Sequence, residues 1–314
     1  CDRMGCLLSE WLFSAAAFGA DVSADDSEFF RAFPQEAAWV ESVGKSTAYL
    51  SLLRHEVLPA YIDDCLNGVD WGKYGVVGFS SSFQQNTASL ALARRIKDRV
   101  PHVKIIFGGA NWDGEMGIEY FRAFPYVDYA VVGEGDVTFP KLLSSLAHGG
   151  RCENVRGVIR RDAGGVRFNG RSSLLQNLDE LPTPNYDEYF ARARQLGLLQ
   201  YGQSSNFLPF ESSRGCWWGQ HHHCTFCGLN GLGMRFRSKS PQRVLAELSE
   251  LSRRYHSCLF AAADNILDMK YVKNLFTTIH EAKADFQFFY EVKANLTRDQ
   301  LRTLYLGGVR FIQP

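Results

Sequence analysis

From Tyr74 onward the chain alternates short apolar runs with helix-patterned stretches, and no other feature narrows its fold as much. Val76-Val-Gly-Phe79 ends in Ser80-Ser81-Ser82. The next stretch turns Ala88, Ala91, Leu92 and Ile96 to one side and Arg94, Arg95 and Lys97 to the other. Lys104-Ile-Ile-Phe107 then runs into the turn Gly108-Gly109-Ala-Asn111, followed by a helix near Gly117 to Ala123. Tyr129-Ala-Val-Val132 runs into Gly133-Glu134-Gly135-Asp136 and a helix from about Thr138 to Leu146. Strand–helix units of this length predict a parallel, doubly wound, Rossmann-like sheet, because parallel neighbours need a crossover between them. Ligands on such a sheet bind beyond the carboxyl ends of the strands. All three strand ends here carry serine or glycine, and glycine lets a backbone approach a bulky ligand closely.

The alternation resumes later in the chain. Phe207-Leu-Pro-Phe210 reads as a buried strand, and Ser240-Pro241 starts a helix with Val244, Leu245, Leu248 and Leu251 on one face. A strand from Leu259 to Ala263 ends in Asp264-Asn265, and a helix from about Met269 to Ala282 follows. A strand from Phe286 to Tyr290 ends in Glu291-Val-Lys293; a helix from Arg298 to Leu306 and a strand from Val309 to Ile312 complete the pattern. This is the pattern of an α/β barrel, whose chemistry sits at the carboxyl rim of its strands. The chain stops just after the fourth such strand. A half barrel leaves an unpaired edge, so the expectation is a barrel incomplete at its C-terminal side and a first domain incomplete at its N-terminal side.

Directly after the first barrel strand come Cys216, Cys224 and Cys227, with His221, His222 and His223 just before the second cysteine. Three thiolates packed this closely repel one another unless a cation neutralises them. Zinc would want a closed tetrahedron, which the three cysteines and one histidine could form. An iron–sulfur cube can take three thiolates and leave one iron open to a substrate. Buried, unliganded thiols are the remaining alternative.

The run Glu211-x-x-Arg214-Gly215-Cys216…Cys224-x-Phe226-Cys227-Gly228 resembles the radical S-adenosylmethionine enzymes, although seven residues separate the first two cysteines where that family usually has three. The words Gly-Cys-Trp-Trp-Gly-Gln-His-His-His-Cys-Thr-Phe-Cys-Gly-Leu-Asn are similar to the subgroup that carries a cobalamin-binding domain and matures ribosomally made peptides (RiPP maturation radical SAM protein 1). The segment Val76 to Leu146 likewise resembles the cobalamin domain that precedes many such barrels.

The resemblance implies a [4Fe–4S] cluster on Cys216, Cys224 and Cys227, with Phe226 and Gly228 beside the adenine of S-adenosylmethionine. Asp264 and Asn265 would stand where the family contacts the amino group, and Glu291 and Lys293 where it binds ribose or carboxylate. Ser80, Ser81, Gly108, Gly109, Gly133, Glu134 and Gly135 would lie along the nucleotide tail of cobalamin. No Asp-x-His-x-x-Gly occurs, so no histidine ligand to cobalt is expected. The implied activity is radical C-methylation of a precursor peptide, with a flavodoxin or ferredoxin as electron donor; other radical rearrangements or methylthio-transfer are alternatives. Read from the residues alone, Asp264 could equally cap a helix and Glu291 could join a surface salt bridge. Gly133-x-Gly135 lacks the third glycine of a dinucleotide fingerprint, and a Rossmann-like domain can also hold nothing.

Composition excludes several classes. Lysine plus arginine and aspartate plus glutamate both number 34, so no overall field draws the chain to nucleic acid or an anionic membrane. The apolar run Trp11 to Ala20 is too short to span a bilayer and lacks the basic start of a signal peptide. Eight cysteines in 314 residues are not dense enough for a disulfide framework, which fits a reducing cytoplasm. Cys1, Cys6, Cys65, Cys152 and Cys258 read as small apolar residues.

Expected domains are residues 1–150, a linker over 151–206 stiffened by Pro182 and Pro184, and a barrel over 207–314. Helices are expected around Leu7 to Ala15 and Tyr49 to Tyr61, a solvated acidic loop from Asp21 to Glu28, and a small hairpin of Gly157 to Arg160 with Gly165 to Phe168.

Overall fold

The computed structural model describes residues 7–19, 25–150, 152–198, 207–228 and 233–314. Cys1, Cys6, Asp21 to Ala24, residues 199–206, Leu229 and Asn230 lie outside the described residues. Contacts divide the chain into two units, Cys1–Leu174 and Leu175–Pro314.

The first unit begins with helices α1 (Leu8–Phe18), α2 (Asp26–Ala32), α3 (Pro34–Ser42), α4 (Thr47–Leu52) and α5 (Leu58–Asn67), the last two joined by a π-helical turn, Leu53–Val57. Asp26 corrects the expectation of a merely solvated acidic loop. It lies in α2 and pairs with Arg54, whose side chain is only 1% exposed. Burial pushes the Asp26 carboxyl up, but donors on Ser51, His55 and Arg54 outweigh it and hold the group below its usual range. Arg54 also stacks over Trp11, 4.9 Å from the ring centre.

Strands β1 (Val76–Ser80), β2 (Lys104–Gly108) and β3 (Tyr129–Val131) are parallel and alternate with α6 (Asn86–Arg99), α7 (Gly114–Ala123) and α8 (Gly135–Ala147). Ile105 and Phe107 pack with Leu90, Ile96 and Phe121 of α6 and α7, while Ile106 turns to the other face and meets Leu142 of α8. Two-residue alternation along one strand thus feeds two cores. The N-terminus of α6 is capped from a distance: the Glu10 carboxylate accepts the Asn86 and Thr87 N–H groups at 2.9 and 2.7 Å.

Two sequence expectations change here. The hairpin β4 (Val158–Asp162) and β5 (Gly165–Phe168) forms as expected, but it pairs antiparallel with β3 and completes a five-stranded sheet in the order β1-β2-β3-β4-β5. Residues 152–174 therefore belong to the first unit and not to a linker. The sheet is mixed, and its parallel strands follow one another without a reversal. Helices α6 and α7 cover one face of it and α8 the other.

The second unit starts at Leu175 and includes α9 (Asp187–Gln195). Thr183 bonds Glu250 at 2.8 Å, and the Tyr186 N–H donates to Tyr255 at 2.6 Å, so the proline-stiffened stretch is packed down and not a free connector. Strand β6 (Leu208–Phe210) leads to a short antiparallel pair, β7 (Ser213–Arg214) and β8 (Arg237–Ser238). Then come α10 (Pro241–Tyr255), β9 (Leu259–Ala262), α11 (Met269–Lys273), α12 (Leu275–Glu281), β10 (Gln287–Glu291), α13 (Arg298–Leu306) and β11 (Val309–Gln313). Ser240 caps α10 by accepting the Arg243 N–H at 3.1 Å, with Pro241 in the first turn, as the sequence predicts.

The sheet order β11-β10-β9-β6 is parallel throughout. Consecutive right-handed crossovers put every helix on one face. There Phe210, Phe260, Phe288 and Tyr290 pack against Leu248, Leu251, Phe276 and Leu304. Outer strands of a flat four-stranded sheet stand about 14 Å apart. Phe207 and Phe311, from opposite edges, nevertheless place their ring centres 5.6 Å apart. The sheet is strongly curved, as an arc of a barrel must be. Among the described residues no helix is long and apolar enough to cross a membrane.

Candidate functional site

Each unit presents one candidate site at the carboxyl ends of its parallel strands. In the first unit a cavity of about 580 Å³ opens there, and Ser80, Gly108, Gly109, Gly133 and Gly135 all line it. Phe79, Ile106, Phe107, Val131, Phe139 and Pro140 supply an apolar wall, with Gly78 and Asp136 completing the lining. A volume of this size suits a large organic ligand or part of one. Sequence reasoning missed Gly78 and the aromatic wall. A glycine inside a strand was the available signal, since it often marks close approach by a ligand.

The glycines serve different ends. A Cβ on Gly133 would meet nothing, and one on Gly78 would only graze the Phe139 ring at 3.9 Å, so these two leave open floor. Gly109 is required by the fold itself. Its φ of 91° and ψ of 179° are essentially glycine-only, and a Cβ would lie 2.4 Å from the Ser81 carbonyl oxygen. Ser81 does not line the cavity. It is fully buried, its N–H donates to the Gly108 carbonyl at 2.8 Å, and its hydroxyl accepts from Asn111 Nδ2 at 3.0 Å. Glu134 is not in the lining either; it precedes the first residue of α8. The structure thus gathers five of the seven positions that the resemblance assigned to this face.

In the second unit the cysteine loop leaves the end of β6 and returns through β8, with the β7–β8 pair clasping its base. Gly215, at φ 78°, lets the two legs cross: a Cβ there would stand 2.4 Å from the Arg235 carbonyl oxygen. Cys216 N–H donates to the Met234 carbonyl at 3.2 Å, and the Cys216 sulfur accepts the Gly219 N–H at 3.2 Å. Cys224 and Cys227 share one turn, closed by the Cys227 N–H on the Cys224 carbonyl at 3.1 Å. All three cysteines are reduced and half-buried. Among the described residues no three His, Cys, Asp or Glu side chains stand close enough to hold a metal ion. The donor set, three thiols on a loop beyond a barrel-type strand with a backbone N–H already on one sulfur, fits an iron–sulfur cluster.

His222 stacks on Trp218 with ring centres 4.7 Å apart, His221 Nε2 lies 3.0 Å from Gln220 Nε2, and His223 is exposed. Phe226 is 90% exposed and Gly228 is exposed beside it, so both are open to a ligand. Lys293 sets its ammonium 3.0 Å from the centre of the Trp218 ring, which ties the end of β10 to the cysteine loop. Glu291, the last residue of β10, has no ion pair among the described residues, and burial alone raises its carboxyl. It is not the surface salt bridge considered from sequence.

Asp264 departs from both of its sequence readings. It is 2% exposed, so it neither reaches out to a ligand nor caps a helix; Asp268 is the cap of α11. Its Oδ1 accepts the Ser212 N–H and its Oδ2 the Ser213 hydroxyl, each at 2.8 Å, and the Ser212 hydroxyl also bonds Oδ2. Burial pushes the carboxyl up to about 6 in spite of these donors. Asn265, beside it, is partly exposed and remains available to a ligand. A carboxyl with a raised pKa in the folded state holds its proton more tightly there than when unfolded. Its contribution to stability therefore falls as pH rises from about 4 to about 6. Denaturant unfolding of Asp264→Asn should lose that component of the pH slope. A slope identical to the parent's would refute the assignment.

No protein-family model matches the chain. An uncharacterised methyltransferase of Pyrococcus horikoshii is 30% identical over 186 residues, 57% of this chain and 37% of its own length. The cobalamin-dependent radical SAM methyltransferase TokK of Streptomyces tokunonensis is 26% identical over 216 residues, 67% of this chain and 30% of its own. Among solved structures, the cobalamin-dependent S-adenosylmethionine radical enzyme OxsB, with aqua-cobalamin and S-adenosylmethionine bound, superposes with a TM-score of 0.63 at 18% identity, covering 83% of this chain and 39% of OxsB. That likeness shows the shared fold, a Rossmann-like sheet followed by a barrel-type sheet. The chain spans about a third of the length of the curated relatives it matches.

Proposed function

We propose that this chain is part of a cobalamin-dependent radical S-adenosylmethionine enzyme that transfers a methyl group. The observation that carries the proposal is the coincidence, on one chain, of a glycine-floored cavity at the strand ends of one sheet and a three-thiol loop at the strand ends of the next. The relatives' activities point the same way.

Cys216, Cys224 and Cys227 would hold a [4Fe–4S] cluster, which when bound supplies the electron that cleaves S-adenosylmethionine. Cobalamin, when bound in the cavity, supplies a methyl carrier. The protein's own part is placement. Phe226 offers a flat apolar face to adenine, Asn265 a polar side chain, and Glu291 a carboxylate at the rim. Phe79, Phe107 and Phe139 exclude water from the first cavity. Lys293, held on Trp218, would fix the loop against β10 and take no part in binding ribose.

The finer reading is that the substrate is a ribosomally made precursor peptide methylated at carbon, that a flavodoxin or ferredoxin supplies electrons, and that the enzyme works in the reducing cytoplasm. The local resemblance around Trp217-Trp218-Gly219-Gln220-His221 supports it, and the balanced charge argues against an RNA substrate. No observation favours zinc. Purified anaerobically, the intact protein should be brown, contain iron, release 5′-deoxyadenosine and methylate its substrate only with cobalamin present. A colourless protein that contains zinc would overturn the proposal.

A further inference from the structure

The cysteine loop is held at its base by a buried polar knot to which none of the three cysteines belongs. Ser212 and Ser213 are the last residues before Arg214-Gly215-Cys216, and Ser238 and Lys239 are the first after the loop returns. Asp264 takes three hydrogen bonds from the first pair, and among the described residues no lysine, arginine or histidine pairs with it. The Tyr290 hydroxyl lies 3.1 Å from Ser212 Oγ. The Tyr271 hydroxyl donates between the carbonyls of Ser212 and Lys239, at 3.0 and 2.7 Å, and so bridges both legs. Along the same segment, the Leu267 carbonyl accepts the Trp217 indole N–H at 2.9 Å and Asp268 accepts the Ser238 hydroxyl at 2.6 Å. Residues 264–271 therefore grip both legs of the loop and one of its tryptophans.

We propose that Asp264 is a positioning residue for the cysteine loop: its buried carboxylate, fully engaged by Ser212 and Ser213, sets where Cys216 leaves the sheet, and it does not touch the bound ligand. A carboxylate with no exposed face cannot meet the amino group of a substrate. A carboxylate accepting from two adjacent residues, however, fixes the backbone that carries them. Hydrogen bonds to a charged acceptor are the strong ones, and a buried donor left without a partner is costly. An asparagine would keep the acceptor for the Ser212 N–H but present an NH2 group to two hydroxyls that now donate.

The test compares the parent with Asp264→Asn, and with Ser213→Ala as a milder lesion. In the metal-free chain, amides from Arg214 to Ser238 should exchange with solvent about tenfold or more faster in Asp264→Asn, with Ser213→Ala intermediate, while amides of β9 and β10 exchange as before. After anaerobic reconstitution the variant should hold less iron, and the paramagnetic resonance signal of its reduced cluster should shift. Unchanged loop exchange, or a uniform loosening of the whole sheet, would overturn the assignment. So would an unchanged cluster signal with only a raised KM for S-adenosylmethionine, which would place Asp264 on the ligand. The cluster measurement rests on the function proposed above. If the protein takes up zinc in place of iron, that function falls, while exchange in the metal-free chain still decides the role of Asp264.

Discussion

Replacing Cys216, Cys224 or Cys227 by serine should leave the reconstituted protein colourless, with iron falling from about four atoms per chain to background and no 5′-deoxyadenosine released. A serine hydroxyl is a hard, poorly acidic ligand that does not replace a soft thiolate. His221 and His222 are engaged by Gln220 and Trp218. Alanine at either histidine should therefore retain the iron. Iron retained in the cysteine variants would show that the thiols are not its ligands.

Gly109→Ala is expected to destabilise the first unit strongly. The alanine would be forced into a glycine-only backbone region, at about 1–3 kcal/mol, with its Cβ inside contact distance of the Ser81 backbone, at about another 1–3 kcal/mol. Against a domain stability of about 5–15 kcal/mol, such a loss lowers the urea midpoint sharply. Because Gly109 also lines the cavity, any relief by backbone shift distorts it, and cobalamin retention should fall in parallel. Gly133→Ala is the comparison. Its φ of 78° is also unfavourable, but the added Cβ meets nothing, and the cost should stay near 1–2 kcal/mol. Equal midpoints for the two variants would refute the steric argument.

Much of this organisation was legible from local pattern. The strands at Val76, Lys104, Tyr129, Leu259, Gln287 and Val309 fall where apolar runs meet turn residues, because a strand and its crossover helix each leave a periodic trace. The start of α10 at Ser240-Pro241 was equally local, since capping chemistry needs only four residues. The short helices α2 and α3 were not legible. Asp25 to Glu28 looks like any polar loop until Arg54, 28 residues beyond Asp26, is buried against it.

The candidate site divides along the same line. The sequence by itself determined the set of candidate groups: three thiols at spacings of seven and two, beyond a strand, and small residues at the ends of three others. Only the tertiary structure decided which of the candidate residues are exposed at the strand ends. It turned Ser81 and Asp264 inward, added Gly78 and Phe139 to a cavity wall, set Lys293 on Trp218, and paired the β4–β5 hairpin with β3. Spacing along the chain records which groups can act together locally. Burial depends on partners as far away as the 52 residues between Ser212 and Asp264, and periodicity cannot encode that separation.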